Sequence, residues 1–278
     1  MSNKAIPITQ HHLDESSLPV VCISCLTYNH EDFIGKAIEG FLMQKTTFPV
    51  KINIFEDCST DKTASIIKKY QKKHPNLFNV LFQPENTWRK SIRRQAMKPF
   101  FEAHVKSKYL AICEGDDYWI DPLKLQKQVD FLDQNEDYGI VYTEIDRVNE
   151  KGDIIDQSFF KNDPASFCKT FDDYLIYAPF RAPCTWMYRT RLYRDREKTY
   201  IVGDLPRLLD LLASSKIHFI EDTTAHYRVL NNSASHFTNI SNEYSFQKGI
   251  FEIQMDYAHK YNVPENVIEA IKIKHALV

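Results

Sequence analysis

The 278-residue sequence predicts an α/β fold, a mostly parallel sheet flanked by helices with a helical C-terminal extension, and three observations predict it. The run VVCISCL after Pro19 is continuously apolar and β-rich, as in a central strand covered on both faces. An amphipathic helical stretch follows at once, and the order strand, loop, helix then repeats. The length suits one large core with an appendage, because single cores stop growing at roughly 250 to 300 residues.

Taken in order, residues 1–18 carry no periodic signal and read as a loose leader, in which His11 and His12 are incidental. After the first strand, Phe33, Ile34, Ala37, Ile38, Phe41 and Leu42 recur at helical spacing between Glu31 and Gln44. VKINIF alternates as a second strand. EDCSTD interrupts it, and Thr63 to Tyr70 sets Ile66, Ile67 and Tyr70 on one helical face, with Ser59 or Thr60 as the N-cap. A short strand NVLF, a helix over about 94–106, the strand YLAIC at 109–113 and a helix from Pro122 to Gln134 complete the regular half. GIVYTEI and DIIDQSF then flank the turn Asn149 to Gly152 as a hairpin, and TWMYRT and HYRVL read as further strands. From Glu243 onward two amphipathic helices present Phe246, Ile250, Ile253 and Tyr257, then Val267, Ile268 and Ile271. The organisation is a leader over 1–18, a main domain over 19–239 and a helical extension over 240–278.

Composition narrows the function classes. With 43% hydrophobic and 26% charged residues the chain can bury a substantial core, and a net charge of -2 argues against a nucleic-acid binder that works by neutralising phosphates. No apolar run approaches the 18 to 20 residues of a bilayer span, which makes a cytoplasmic protein the expectation. Cys22 and Cys25 stand three apart in a strand, so they face opposite sides and read as core residues rather than as a disulfide or zinc pair. No GxG occurs, which removes a nicotinamide dehydrogenase, and Gly35-Lys36 runs into Ala37 without the upstream glycine of a phosphate-cradling loop.

Ligands of an open parallel sheet bind outside the carboxyl ends of its strands. Three such ends are polar here: Thr27, Tyr28 and Asn29; Glu56 to Asp61; and Glu114, Gly115, Asp116 and Asp117. Carboxylates converging on one rim repel unless a cation neutralises them, and Mg²⁺ uses one or two carboxylates together with substrate phosphates. The same acids could instead cap the helix near Pro122. Asp57 could accept the ring N3–H of uracil, or cap the turn that follows it. Asp57, Ser59, Asp61 and Thr63 mimic a calcium loop, but Lys62 and Lys68 occupy its glycine and glutamate positions, and that reading fails. The cluster Arg89, Lys90, Arg93, Arg94 and Lys98 suits a diphosphate or an anionic lipid-linked acceptor as well as it suits a solvated helix face. Trp119 and Trp186 are candidates for stacking on a sugar, with burial as the competing reading.

TYNHEDFIGKAIEGFLMQ, EDCSTDKTASI and YLAICEGDDYWIDPLKLQKQVDFL, in that order and spacing, resemble the family 2 glycosyltransferases of GT-A fold, and especially bacterial surface-polysaccharide members, over about residues 19–232. The resemblance implies a metal-dependent, inverting transfer of one sugar from a nucleotide-diphosphate donor, a UDP-sugar by the argument on Asp57, to an acceptor hydroxyl. It implies that Thr27, Tyr28, Asn29 and Asp57 hold the nucleoside; Arg94, from the basic cluster, is the candidate on the donor side. Asp116 would lie near ribose and metal, Asp117 would bind Mn²⁺ or Mg²⁺, and Asp204 would act as base. Glutamate stands in place of the first aspartate of the metal motif, at Glu114. Leu230 stands where many members carry a metal-binding histidine, which leaves His226 or His236 as substitutes. The QxxRW motif of processive enzymes is absent. The acceptor would be a glycan or a lipid-linked glycan, at the inner face of the membrane, with residues 240–278 docking, dimerising or touching that membrane. The alternatives are a sugar nucleotidyltransferase, which typically begins with a glycine-rich loop absent here, and a non-catalytic nucleotide-sugar or glycan-binding module.

Overall fold

The computed structural model describes residues 4–11, 18–88, 90–196, 198–230 and 240–276, the last stretch with side chains from 243 on. Among the described residues, eleven strands and eight α-helices follow one another. They are β1 (Ile6–Pro7), β2 (Val21–Thr27), α1 (Ile34–Leu42), β3 (Lys45–Thr46), β4 (Val50–Glu56), α2 (Thr63–Lys73), β5 (Phe78–Phe82), α3 (Arg93–His104), β6 (Tyr109–Ile112), β7 (Tyr118–Trp119), α4 (Lys124–Gln134), β8 (Tyr138–Val148), β9 (Ile154–Asp156), α5 (Phe171–Tyr177), β10 (Met187–Arg189), α6 (Asp204–Leu212), β11 (Lys216–Arg228), α7 (Ile240–Lys260) and α8 (Glu265–Ala276).

The main sheet runs β5-β4-β2-β6-β10-β8-β11-β7, with β9 on β8. Its first four strands are parallel to one another, β10 is antiparallel to both neighbours, and β8 and β11 pair in parallel. Val21, Ile23 and Cys25 of β2 and Ile52, Ile54 and Phe55 of β4 are fully buried, as continuous apolar runs in a two-sided sheet must be. All six cysteines are free.

Helix α1 buries Ile34, Ala37, Ile38 and Phe41, and Phe41 meets Trp119 edge-on at 4.9 Å. This contact requires Gly40. A Cβ there would lie 2.9 Å from both the backbone N and O of Trp119. Just beyond the helix, Gln44 donates to the carbonyls of Gly40 (3.3 Å) and Asp121 (2.8 Å) and accepts from Leu125 N–H (3.1 Å). One buried amide therefore ties α1, the loop after β7 and α4 together.

Several boundaries differ from the sequence reading for identifiable reasons. Lys62 occupies the N-cap of α2 without a side-chain cap, and Ser59 and Thr60 bond to Asn29 instead; Asp61 takes the capping work by accepting from Thr63 N–H at 2.9 Å. Pro122 precedes α4 rather than opening it. The leader is anchored at its start: β1 pairs with β3, Ile8 is buried, and His11 Nε2 lies 2.9 Å from the Thr46 carbonyl. His12 lies outside the described residues. Helix α5 was not anticipated, although Thr170 and Asp173 form a complete capping box at its start.

The C-terminal helices pack on α5 and α6 and bury Ile253, Tyr257, Val267 and Ile271 in the same core as the sheet. Burial of each such side chain stabilises by about 1.5 to 3 kcal/mol, far above the zero to ~1 kcal/mol of an exposed pair such as Lys272–Glu265. Asp210 of α6 adds a buried polar anchor, accepting from Lys260 Nζ (2.7 Å), Tyr257 OH (2.9 Å) and Tyr261 OH (3.2 Å).

Candidate functional site

The carboxyl ends of β2, β4 and β6 lie side by side, because the three strands are in parallel register. The loops they feed are stitched together. Asn29, at φ 52°, donates its N–H to Ser59 Oγ (2.9 Å) and accepts from Thr60 N–H (2.8 Å) through Oδ1. His30 N–H donates to Thr63 Oγ1 (2.8 Å), and Glu31 and Asp61 exchange bonds with each other's strand-end loop. Tyr28 remains exposed.

Asp57 is buried, and its Oδ1 accepts from both Thr87 N–H and Thr87 Oγ1 at 2.8 Å, while Oδ2 pairs with Arg93 at 2.9 Å. A carboxylate offers about four acceptor positions, so three bonds leave one for a ligand donor. Among the described members of the basic cluster, Arg93 is thus the one that pairs with Asp57. Arg94 instead pairs with Asp195 at 2.7 Å on an exposed surface, Lys90 pairs with Glu85, and Arg89 lies outside the described residues. Exposed Trp88 sits 4.8 Å from the Arg93 guanidinium.

The acidic strand end is held equally closely. Gly115 N–H donates to the Leu26 carbonyl at 3.0 Å, and a Cβ at Gly115 would fall 2.6 Å from Thr27 Oγ1 and 2.8 Å from His30 Nδ1. Thr27 and His30 are themselves paired at 3.2 Å. Asp117 is buried, and its Oδ1 accepts from the backbone N–H of Arg228 at 2.7 Å. The Arg228 guanidinium donates to the carbonyls of Asp116 (2.9 Å), Asn149 (3.0 Å) and Glu150 (2.6 Å) and lies over the ring of Phe33 at 4.6 Å. One arginine therefore clasps the acidic turn to the hairpin of β8 and β9.

Burial pushes Glu114 well above the usual carboxylate range, with the charges of Asp116, Asp204 and Asp117 adding to the rise and Arg93 opposing it. Burial likewise raises Asp117, reinforced by Asp116 and opposed by the Arg228 N–H. A cation would relieve this repulsion. Among the described residues no three His, Cys, Asp or Glu side chains are arranged as a ligand set. An ion held by Asp116 and Asp117 would therefore need further ligands from outside the chain, such as diphosphate and water. His226 does not complete a set: Nδ1 lies 2.8 Å from Tyr118 OH and Nε2 3.7 Å from Asp146. His236 lies outside the described residues, and Leu230 is half-buried.

Asp204 opens α6 as its first helical residue, after Gly203 at the N-cap, and no described residue hydrogen-bonds its carboxylate. Its surface is exposed, and desolvation by the surrounding protein raises its pKa against the charges of Arg207 and Arg196. Trp119 and Trp186 are 2% and 0% exposed. Neither ring can stack on a sugar, which corrects that expectation; Trp119 Nε1 donates to the Cys184 carbonyl at 2.7 Å as a core residue does. The residues that sequence reading passed over are His30, Thr87 and Arg228. His30 had a signal, its place inside TYNHED; the other two act through contacts with residues distant along the chain.

Comparison with known proteins adds the following. The model of the family described as "Glycosyl transferase family 2" matches residues 22–196. An uncharacterized protein of Mycobacterium tuberculosis is 37% identical over 130 residues, which are 47% of this chain and 36% of that protein, so the match spans about a third of the relative's length. TuaG of Bacillus subtilis, provisionally named a teichuronic acid biosynthesis glycosyltransferase, is 27% identical over 226 residues, 78% of this chain and 82% of TuaG. The poly(ribitol-phosphate) beta-N-acetylglucosaminyltransferase TarS of Staphylococcus aureus is 28% identical over 195 residues, 69% of this chain and 31% of TarS. A crystal structure of TarS residues 1–349 with UDP-GlcNAc superposes with a TM-score of 0.60 at 20% identity, covering 84% of this chain and 66% of that one. The mannosyltransferase PcManGT of Pyrobaculum calidifontis, in complex with GDP-Man and Mn²⁺, superposes with a TM-score of 0.54 at 14% identity, covering 94% and 71%.

Proposed function

Since the chain belongs to glycosyl transferase family 2 and has the GT-A fold, we propose that it transfers a single sugar from a UDP-sugar to an acceptor hydroxyl in surface-polysaccharide synthesis, with inversion at the anomeric carbon. The observation that carries this reading is the acidic turn at the end of β6, where buried Asp117 sits on the Arg228 N–H beside the parallel strand ends that hold Asp57; Asp204, at the start of α6, adds its charge to those that raise Glu114.

The strand-end loops of β2 and β4 cradle the nucleoside. The remaining acceptor position of Asp57 takes the N3–H of uracil, and Arg93 holds that carboxylate in place. TarS, whose complexes contain UDP-GlcNAc and UDP, favours a uridine donor; PcManGT with GDP-Man represents the competing choice. Asp116 and Asp117 would hold Mn²⁺ or Mg²⁺, which when bound offsets charge on the departing diphosphate. Arg228 keeps both aspartates in position through its N–H and guanidinium. Asp204 takes the acceptor proton as the hydroxyl oxygen bonds to the anomeric carbon and the bond to diphosphate breaks on the opposite face. A base with a raised pKa suits this task, because its proton affinity lies nearer to working pH. The names of TarS and TuaG support a polysaccharide acceptor. No helix of the described residues is long and apolar enough to cross a membrane.

Calorimetric titration with UDP, GDP and ADP, with and without Mn²⁺, tests the donor half. Metal-dependent UDP binding that disappears in Asp117→Ala is expected, and absence of binding to every nucleotide would overturn the reading. Release of UDP from UDP-sugars, lost in Asp204→Asn while UDP still binds, separates a transferase from a binding module.

A further inference from the structure

Helix α2 carries an outer face that takes no part in the proposed donor site. From Lys62 to Pro84 the chain holds five lysines, Lys62, Lys68, Lys69, Lys72 and Lys73, and no acidic residue. At about 100° per residue all five fall on one side of the helix, away from the buried Thr63 and Ile67. All five are exposed, and none pairs with a carboxylate among the described residues. Lys68 Nζ lies over the ring of Phe82 at 4.9 Å, a contact that leaves its charge in place. Lysines on other surfaces do pair: Lys161 with Glu221, Lys198 with Glu252 and Asp256, Lys216 with Asp137 and Lys272 with Glu265. In a chain whose net charge is -2, the face of α2 is a local excess of positive charge.

Helix stability does not account for this arrangement. Lys72 and Lys73 suit the negative end of the helix dipole, but Lys62 stands at its positive end, and no acid occupies the first turn. Lys68 with Lys72 and Lys69 with Lys73 are like charges one turn apart, a spacing that destabilises a helix. An extended anionic surface outside the chain would turn that repulsion into attraction. Tyr70, the one aromatic residue of the helix, turns away to donate to Glu39 at 3.0 Å, so the face lacks the stacking platforms of a single-strand nucleic-acid site. Lysines spread along a helix match instead the diffuse charge of lipid headgroups, for which clusters of about four to eight basic residues suffice.

We propose that the lysine face of α2 docks the protein on an anionic lipid bilayer. The contact is electrostatic and reversible, because no large apolar side chain of α2 is exposed for insertion. The helix begins at the rim of strand ends: Lys62 N–H donates to Glu31 at 2.9 Å, and Thr63 Oγ1 accepts from His30 N–H at 2.8 Å. Docking therefore brings the loops of β2 and β4 close to the headgroups. It is independent of the transfer reaction.

The test is co-sedimentation of the full chain with vesicles of mixed phosphatidylglycerol and phosphatidylcholine, beside vesicles of phosphatidylcholine alone. Binding to the anionic vesicles only, weakening as salt is raised, is expected. The variant K68Q/K69Q/K72Q/K73Q should lose at least about a hundredfold in partitioning, at roughly fivefold per lysine. The variant K161Q/K198Q/K216Q/K272Q removes the same charge from other surfaces and should lose less than about threefold. Thermal melting should show the α2 variant as stable as the parent or more so, since its like-charge pairs are gone. Equal sedimentation with phosphatidylcholine, undiminished sedimentation of the α2 variant, or an equal loss in the two variants would overturn the proposal. Binding of duplex DNA that depends on the same lysines, with no sedimentation, would assign the face to nucleic acid and overturn it as well. UDP titration in Mn²⁺ on the same preparations keeps the two readings apart: a parent that sediments without binding UDP sinks the transferase and upholds the docking face, and one that binds UDP without sedimenting does the reverse.

Discussion

The two sides of the proposed site are built from different materials. The proposed donor side consists of the ends of three parallel strands whose loops are cross-linked by short bonds between side chain and backbone, such as Asn29 with Thr60 and Asp117 with Arg228 N–H, and its charge is negative. The proposed acceptor side consists of α6 and the stretch that follows the end of β10 at Arg189, where among the described residues long cationic side chains make the contacts. The first side is positioned by the backbone, and the second by side chains. Substitution at the acceptor side can change its chemistry while the sheet persists, which is how one scaffold serves many acceptors.

The comparison breaks if both sides respond alike to substitution. The largest expected effect is Asp204→Asn, with kcat reduced by about 10² to 10⁴-fold and UDP affinity little altered, read from steady-state kinetics beside calorimetry. Asp117→Ala should cost about 10² to 10³-fold in transfer and remove the metal dependence of UDP binding, a split opposite to that of Asp204. Gly115→Ala forces Thr27 and His30 apart and should destabilise by about 1 to 3 kcal/mol in urea unfolding, with weaker UDP binding as a consequence. Asp210→Asn leaves Lys260 without its carboxylate and should cost about 1 to 3 kcal/mol, measured in the same way, while UDP affinity holds. The smallest effect concerns pH. Transfer needs Asp204 ionised, so the rate falls as pH drops through its raised pKa; Arg207 opposes that rise, and Arg207→Gln should move the acid limb of kcat/KM to higher pH.

The rim of strand ends was legible because buried parallel strands are written as unbroken apolar runs, and the polar residues that stop them, Thr27 to Asn29, Asp57 and Glu114 to Asp117, mark where the strands end. What joins those residues was not legible. Arg228 meets Asp117 from 111 positions away and Thr87 meets Asp57 from 30, and no local period encodes either. Strand β11 was read only at its end, because register shifts between Ile220 and Ala225 break its alternation, and acids stand where a clean strand would carry apolar residues. Trp119 misled through its company: it follows the acids Asp116 and Asp117, yet pairing with β11 turns its ring into the core against Phe41.

Gly40 bears on how mutational tolerance in this protein is to be read. Its missing side chain lets α1 rest on the backbone of Trp119, two residues beyond Asp117, and a backbone cannot swing aside as a side chain can. In a library of single substitutions selected for activity, position 40 should be as intolerant as position 117 while touching no substrate. A map drawn from intolerance alone would extend the active site by one helix, and thermal melts of the soluble variants would draw it back.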